Sequence, residues 1–188
     1  MLVEPEADAE RLALDRAVAE AVRLRVAAGP RPTPDADAIA LRELLAGAPA
    51  GSAAADPEQA LAAVRDGARA LMDLTPGKAW WGRLLAEPAL RVVAALPDDR
   101  TGAPRALMIQ RANPGPTGGD RTFWATDSQM PDARIVETLA VAGLAADPLI
   151  AAGGLKLFML AGYVQADDAR LNGAPGELSG VIGAAPLF

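Results

Sequence analysis

Residues 155–164 read LKLFMLAGYV, which is the strongest apolar run in the chain. The run is long enough for one strand of a sheet but well short of the ~20 apolar residues that a membrane-spanning helix needs. The pair Gly153-Gly154 precedes it, and a tail rich in Gly and Pro, ending in GVIGAAPLF, follows it. We therefore expect residues 155–164 to form the last strong strand of a globular domain.

Strand-like and helical segments alternate upstream of this run. Apolar stretches between turn-forming residues predict strands over residues 68–74, 90–96, 105–111 and 121–127. A helical segment over residues 80–86 lies between the first two of them. This alternation predicts an α/β or α+β fold, in which a mixed sheet carries helices on its face.

Two longer helices are predicted from their capping residues. Asp56 and Pro57 suit the N-cap and first-turn positions of a helix that Gly67 ends. Its residues Leu61 and Val64 share one face. A second, amphipathic helix is opened by a proline and ended by a glycine, which are Pro131 and Gly143. The inward-facing residues of this second helix are Ile135, Val136 and Leu139.

The first 47 residues are predicted to form a separate helical arm of two helices. Apolar residues recur at every fourth position of the first helix, at Leu14, Val18, Val22 and Val26. The proline-rich PRPTP elbow joins it to the second helix. The flexible stretch GAPAGSAAADP then predicts a linker at residues 48–56 and an α/β domain at residues 57–188. Because a two-helix arm cannot bury its own apolar stripe, we expect a homodimer.

The composition excludes several kinds of chemistry. The chain has no cysteine and no histidine, which removes disulfides, Cys or His metal sites and the Ser-His-Asp and Cys-His mechanisms. We expect no metal and no cofactor. The formal net charge of -6 and a pI near 4.7 argue against a nucleic-acid partner. The acidic N-terminus lacks the features of a signal peptide, so the expected location is the cytoplasm, without a membrane partner.

Arginines are concentrated in the predicted arm. They are Arg11, Arg16, Arg23, Arg25, Arg31 and Arg42. Guanidinium groups bind carboxylates in bidentate fashion, so one interpretation of the cluster is a site for a small dicarboxylate. The alternative is that these side chains form i,i+4 ion pairs on a helix surface, as most arginines on amphipathic helices do.

A glycine-rich turn in PTGGDRTFW, residues 116–124, is a second candidate site. Exposed backbone N–H groups in such a turn can receive a carboxylate. The candidate ligand-binding residues are Gly118, Gly119, Asp120, Arg121 and Thr122. The alternative is a turn that needs positive φ at the two glycines, followed by a buried aromatic strand.

Trp80 and Trp81 form a third apolar feature. They line a pocket for an aromatic ligand in one interpretation, and in the other they anchor an alanine-rich core. The pair Gly153-Gly154 precedes a strand instead of opening a helix, which argues against a dinucleotide-binding fingerprint.

Four segments carry a family resemblance. They are AWWGRLLAEPALRVVAALP, PTGGDRTFWATDS, AAGGLKLFMLAGYVQADDARL and GVIGAAPLF. Together they resemble the C-terminal part of bacterial chorismate mutase and prephenate dehydratase-related proteins, and the N-terminal arm is similar to a shortened helical mutase arm. The resemblance implies a chorismate mutase-like isomerase of phenylalanine and tyrosine biosynthesis that converts chorismate to prephenate. That pericyclic reaction needs conformational restriction and cationic stabilisation, but no nucleophile and no metal.

The resemblance also implies roles for particular residues. Carboxylate binding falls to four arginines of the arm, with Glu43 as their hydrogen-bond partner. The four are Arg23, Arg25, Arg31 and Arg42. The chain departs from the family where Gly29 or Pro30 replaces an expected lysine. It also reads Arg-Thr-Phe at residues 121–123, where the dehydratase signature is Thr-Arg-Phe.

Two alternatives to the mutase stay open at this point. One is a non-catalytic ligand-binding or protein-interaction module derived from the dehydratase lobe, which uses the arm for docking. The other is a remnant of that lobe that senses phenylalanine or another small amino acid at residues 118–122.

Overall fold

The computed structural model describes residues 57–74, 76–97 and 102–187. The chain divides into two compact units, residues 1–60 and 61–188. The described residues belong to the second unit and to the helix that spans the boundary. The predicted arm and linker lie outside the described residues, and so do the domain boundaries drawn through them, which stay predictions.

Three α-helices and seven strands occur in the described part of the chain. The helices are α1 (Pro57–Arg65), α2 (Arg83–Ala86) and α3 (Asp132–Val141). The strands are β1 (Ala70–Asp73), β2 (Arg91–Leu96), β3 (Ala106–Gln110), β4 (Asp120–Thr126), β5 (Ala146–Ala152), β6 (Leu155–Ala161) and β7 (Ser179–Pro186). Single 3-10 turns form at Trp80–Gly82 and Ala169–Leu171. Among these residues, no helix is both long enough and apolar enough to cross a bilayer.

All seven strands form one mixed sheet in the order β1-β3-β2-β7-β4-β6-β5. Every adjacent pair is antiparallel except β2 and β7, which run parallel. The predicted fold class, a mixed sheet with helices on its face, is therefore confirmed.

Four of the strands form a split β-α-β arrangement. Strands β4 and β5 both run antiparallel to β6, which lies between them, so α3 connects two parallel strands. Strand β7 lies on the other side of β4. This is the strand order of a ferredoxin-like unit. In place of its second helix, the chain has residues 162–178, whose only helical part is the turn at Ala169–Leu171.

A hydrophobic core lies between α3 and the sheet. Its residues are Trp124, Ile135, Leu139, Leu144, Phe158, Leu160, Val164 and Val181. The rings of Trp124 and Phe158 pack with centroids 5.7 Å apart. Every residue of β4 is buried, which places this strand at the centre of the unit. The apolar run that led to the fold prediction supplies three of the core residues.

The sheet has a seam where β2 meets β7. The two strands pair at a single position, Val92 with Gly183, and register shifts lie beside that position on both β2 and β4. Gly183 has φ of 147°. A Cβ atom there would lie 2.3 Å from the Val92 carbonyl oxygen. The close approach of the two backbones at the seam therefore depends on glycine at this position.

Strands β5 and β7 do not appear among the predicted strands. The sequence of β7 looks like a tail because its glycines lower the strand propensity, yet it pairs along its whole length with the buried β4. The sequence of β5, ADPLIAA, carries Pro148, which is tolerated because β5 is an edge strand. Both strands form because they pair with strands that are distant in the sequence, and not because of their local sequence.

Candidate functional site

Arg91 opens β2 beside the seam. Its guanidinium Nη1 donates a hydrogen bond to the carbonyl oxygen of Val181 on β7, at 2.8 Å. The side chain is partly buried. Within the described ranges, no carboxylate lies within ion-pair distance of Arg91, and the bond to Val181 is the hydrogen bond that its guanidinium makes.

Other arginines of the unit have acidic partners. Arg65 Nε donates to Glu87 Oε2 at 2.7 Å, and this bond lowers the pKa of the Glu87 carboxyl. Arg170 Nη2 donates to Asp168 Oδ2 at 2.7 Å, and the bond lowers the pKa of Asp168 to about 2. Both pairs lie at exposed positions, where water would hydrate the charges even without the ion pair. Arg91 is less accessible than these side chains and has no such counter-ion among the described residues.

The pKa of Arg91 reflects this environment. Burial lowers the pKa of the guanidinium from its ordinary value, and the nearby Tyr163 phenol opposes the change by a smaller amount. Because a charge taken out of water is unfavourable unless a partner compensates it, Arg91 is poised to accept an anion.

Tyr163 lies on the loop that follows β6. Its hydroxyl donates a hydrogen bond to the carbonyl oxygen of Pro114, at 2.7 Å. Pro114 belongs to the connection that leaves β3 at Gln110, and Gln110 is the register partner of Arg91. Tyr163 thus bonds to the connection that follows the register partner of Arg91, and its phenol influences the pKa of Arg91.

The core behind this cluster is well fixed. Val164, next to Tyr163, packs in the same core as Val181, whose carbonyl oxygen binds Arg91. The Val164 backbone N–H also donates to Thr122 Oγ1 at 2.9 Å. Both polar side chains of the candidate site are therefore attached to residues of a packed interior.

Two backbone N–H groups of the predicted loop at residues 116–124, those of Thr117 and Gly118, are bonded within the loop itself. The Asp120 carboxylate accepts hydrogen bonds from Thr117 N at 2.8 Å, Gly118 N at 3.1 Å and the Thr117 hydroxyl at 2.7 Å. Gly118 has positive φ, 98°, whereas Gly119 does not. The strand that follows is the buried β4, which agrees with the alternative interpretation of this segment.

Two further residues of that candidate set are buried and bonded within the protein. The Thr122 hydroxyl donates to the Gly162 carbonyl oxygen at 2.8 Å. The Arg121 guanidinium donates to two backbone carbonyls at the end of β2. The structure thus brings residues 118–122 together in one turn and strand start. That they bind a ligand stays a prediction.

The tryptophan pair lies in the core. Trp80 and Trp81 are 5% and 0% exposed, and their rings meet edge to face at 6.1 Å. Trp80 Nε1 donates to the Asp73 carbonyl oxygen at 2.8 Å. The Trp81 indole N–H is buried, with no acceptor among the described residues. These positions favour the packing interpretation of the pair.

The other candidate residues belong to the predicted arm. Those predicted to be catalytic, Arg23, Arg25, Arg31, Arg42 and Glu43, lie outside the described residues. In the ranges that are described, no three Asp or Glu side chains gather as they would around a metal ion. The expectation that the protein needs no metal or cofactor stays a prediction.

Comparisons with known proteins add one similarity. No family model matches the chain, and no curated protein matches it. One solved structure that is similar is that of GqqA, described as a novel type of quorum quenching acylase. The two share 19% sequence identity over 69% of this chain and 79% of that one, with a TM-score of 0.45. A likeness this low transfers no residue role and no activity to the present chain.

The family assignment made from the sequence is corrected by these comparisons. No model of a chorismate mutase or prephenate dehydratase matches, and the similar structure bears an acylase description. The assignment to a chorismate mutase-like isomerase of aromatic amino acid biosynthesis is therefore wrong. The alternative of a module derived from the dehydratase lobe, sensing an aromatic amino acid, is wrong with it.

The physical reason for the error lies in what the resembling segments do. The first seven residues of LKLFMLAGYV form the core strand β6, and the residues GVIGAAP belong to the seam strand β7. Their residue patterns follow from burial and from the close backbone contact at Gly183. Sequence patterns that arise from packing indicate the fold of a protein, but they do not indicate which reaction it catalyses.

Proposed function

We propose that the second unit binds a small molecule through a carboxylate group, which pairs with Arg91. The observation that supports this most directly is a partly buried guanidinium that, in the part of the chain the structure describes, bonds to a neutral carbonyl and to no acid. Neither the mutase assignment nor the aromatic amino acid sensor contributes to the proposal.

The energetics favour an anion at this position. A hydrogen bond to a charged group contributes ~1.5–3 kcal/mol, and a carboxylate can accept two such bonds from one guanidinium in bidentate geometry. The cost of removing Arg91 from water is already part of the free energy of folding. Binding of a carboxylate therefore gains the attraction to Arg91 without a second desolvation cost for this side chain. In a chain of net charge -6, such a site also needs a local cation to overcome the general repulsion of anions.

Thermal unfolding tests this proposal. The full chain is heated with acetate, propionate, butyrate or hexanoate at constant ionic strength, and the corresponding uncharged amides serve as ligand controls. A ligand that binds only the folded state stabilises it by ~2.7 kcal/mol at 100 times its Kd. We expect the acids, but not the amides, to raise the Tm.

Two variants separate a specific site from general charge effects. Arg91→Met keeps the aliphatic volume and removes the cation, so the acids should no longer raise its Tm. Arg134→Met removes an exposed arginine that pairs with Glu137 on α3, and should respond as the wild type does. Equal responses to the acids in wild type and Arg91→Met would contradict the proposal.

Two further properties are proposed from the sequence. A homodimer is proposed from the predicted arm, and light scattering after gel filtration would then give twice the chain mass of 19.3 kDa. A cytoplasmic location is proposed because the chain carries no cysteine for oxidative folding. Fractionation of the native host, with antibody detection, would test it.

A further inference from the structure

Asparagine occurs at two positions in the chain, and the residues that follow them differ. Asn113 precedes Pro114, whereas Asn172 precedes Gly173. Both asparagines are exposed. The main-chain nitrogen of the next residue can attack an asparagine amide if that nitrogen carries a proton and is sterically accessible. Glycine meets both conditions because it has no side chain, whereas the proline nitrogen has no proton.

Asn172 and Gly173 are the two central residues of a β-turn. The Ala174 backbone N–H closes the turn by donating to the Leu171 carbonyl oxygen at 3.0 Å. Asn172 has φ of -65° and ψ of 117°, and Gly173 has φ of 84°. These are the dihedral angles of a type II turn, which favours glycine at its second central position. The fold therefore presents this asparagine together with the least hindered neighbour it can have.

The two reacting groups are not engaged elsewhere. Neither the Asn172 side chain nor the Gly173 backbone N–H forms a hydrogen bond with another described residue. A flip of the peptide plane between them converts a type II turn into a type I turn, and the bond that closes the turn is kept. The flip moves the Gly173 nitrogen towards the Asn172 side chain. The attack therefore needs motion of the turn alone and no unfolding of the unit.

We infer that Asn172 is a site of spontaneous deamidation. The Gly173 nitrogen attacks Cγ of Asn172 and forms a five-membered imide, while the side-chain nitrogen takes up the proton of the attacking nitrogen and leaves as ammonia. Water then opens the imide at either of its carbonyl groups and gives aspartate or isoaspartate. The net reaction consumes water and releases ammonia, so it needs no oxidant or reductant. It is independent of the carboxylate site at Arg91.

The reaction changes the loop at residues 162–178. Both products place a new negative charge at position 172, and isoaspartate also adds a carbon atom to the main chain between Leu171 and Ala174. These two residues pack against the core beneath α3. The turn that joins two core contacts is thereby lengthened, so we expect the loop to loosen as the protein ages.

Two tryptic peptides test the inference on the full chain. Cleavage after Arg111, Arg121 and Arg170 gives residues 112–121 and residues 171–188, each with one asparagine and no glutamine. The folded protein is incubated at mildly alkaline pH, and samples taken over time are digested and analysed by mass spectrometry. We expect the small mass gain that marks the conversion of an amide to an acid in residues 171–188. Residues 112–121 should keep their mass, because Pro114 blocks the imide.

The rate of the reaction distinguishes the turn in this fold from the bare sequence. A synthetic peptide of residues 171–188 gives the rate without the fold. Mobile loops open at a free-energy cost near zero, so the rate in the folded chain should lie within about tenfold of the peptide rate. The variant Asn172→Gln keeps an amide but would need a six-membered ring, so its residues 171–188 should react far more slowly.

Three results would overturn the inference. A folded-chain rate below the expected range would show that the turn is closed to the reaction. An equal mass gain in residues 112–121 would show direct hydrolysis by water in place of attack by Gly173, and so would an unchanged rate in Asn172→Gln. None of these results bears on the carboxylate site at Arg91.

Discussion

Replacing Gly183 by alanine should damage the sheet more than almost any other single added methyl group. At this position the new Cβ would lie 2.3 Å from Val92 O, 2.4 Å from Val92 N and 2.8 Å from Val92 Cα. All three are backbone atoms of the neighbouring strand, so no side chain can rotate away to make room. Relief requires β2 and β7 to separate at the one position where they pair.

The magnitude follows from two contributions. Overpacking in a filled interior costs ~1–3 kcal/mol. A non-glycine residue at a φ of 147° adds backbone strain of ~1–3 kcal/mol. The free energy of unfolding should therefore fall by about 4 kcal/mol. With an m-value of ~2 kcal/mol/M in urea, the unfolding midpoint would shift by about 2 M.

Urea denaturation followed by tryptophan fluorescence measures this shift. Gly115→Ala is the matched control, because a methyl group there meets nothing within 4 Å and the residue is exposed. The control should lie within ~1 kcal/mol of the wild type or above it. If Gly183→Ala also stayed within ~0.5 kcal/mol of the wild type, the seam described here would not exist in solution.

Three other predictions concern buried and charged groups. The variant Trp80→Phe loses a hydrogen bond to a carbonyl oxygen, whereas Trp81→Phe removes a buried N–H group that has no acceptor among the described residues. In urea unfolding, Trp81→Phe should therefore be more stable than Trp80→Phe by ~1–3 kcal/mol. Asp120→Ala frees three donors of the glycine turn and should cost ~2–3 kcal/mol in the same assay, with a loss under ~0.5 kcal/mol as the contradicting result. The folded-state pKa of Asp168 is depressed to about 2, so the stabilisation from its pair with Arg170 is present above the ordinary value of 3.8 and is lost as the pH falls through about 2. Carboxyl NMR should report that pKa, and Arg170→Ala should raise it only part of the way to 3.8, since the backbone N–H of residue 170 still binds the carboxylate.

Local signals in the sequence account for much of the fold. The strand over residues 155–164 and the helix opened by Pro131 are found close to their predicted places, because their apolar periodicity coincides with one buried face. The turn before β4 and the buried aromatic strand after it also follow from composition. Periodicity and turn chemistry act within a few residues, and these elements need nothing more distant.

The seam and the candidate site depend on contacts that no local pattern encodes. Strand β7 is held by β4 and β2 despite its weak strand propensity. Arg91 looks like any arginine at the start of a strand. Its distinguishing feature exists only after folding: the partner of its guanidinium is a carbonyl group 90 residues away, and no described acidic residue pairs with it. The short segments that resembled another family were misleading for the same reason, since core packing produces similar sequences in unrelated proteins.

The central claim is that Arg91 holds a carboxylate, and the NMR signals of the arginine side chains report on it most directly. In a titration of the full chain with lactate, the Nε–Hε resonance of Arg91 should shift and saturate, while that of Arg134, which is paired with Glu137, stays in place. Uniform shifts of all arginine resonances, or a fixed Arg91 signal at saturating lactate, would show that the site is not where we place it.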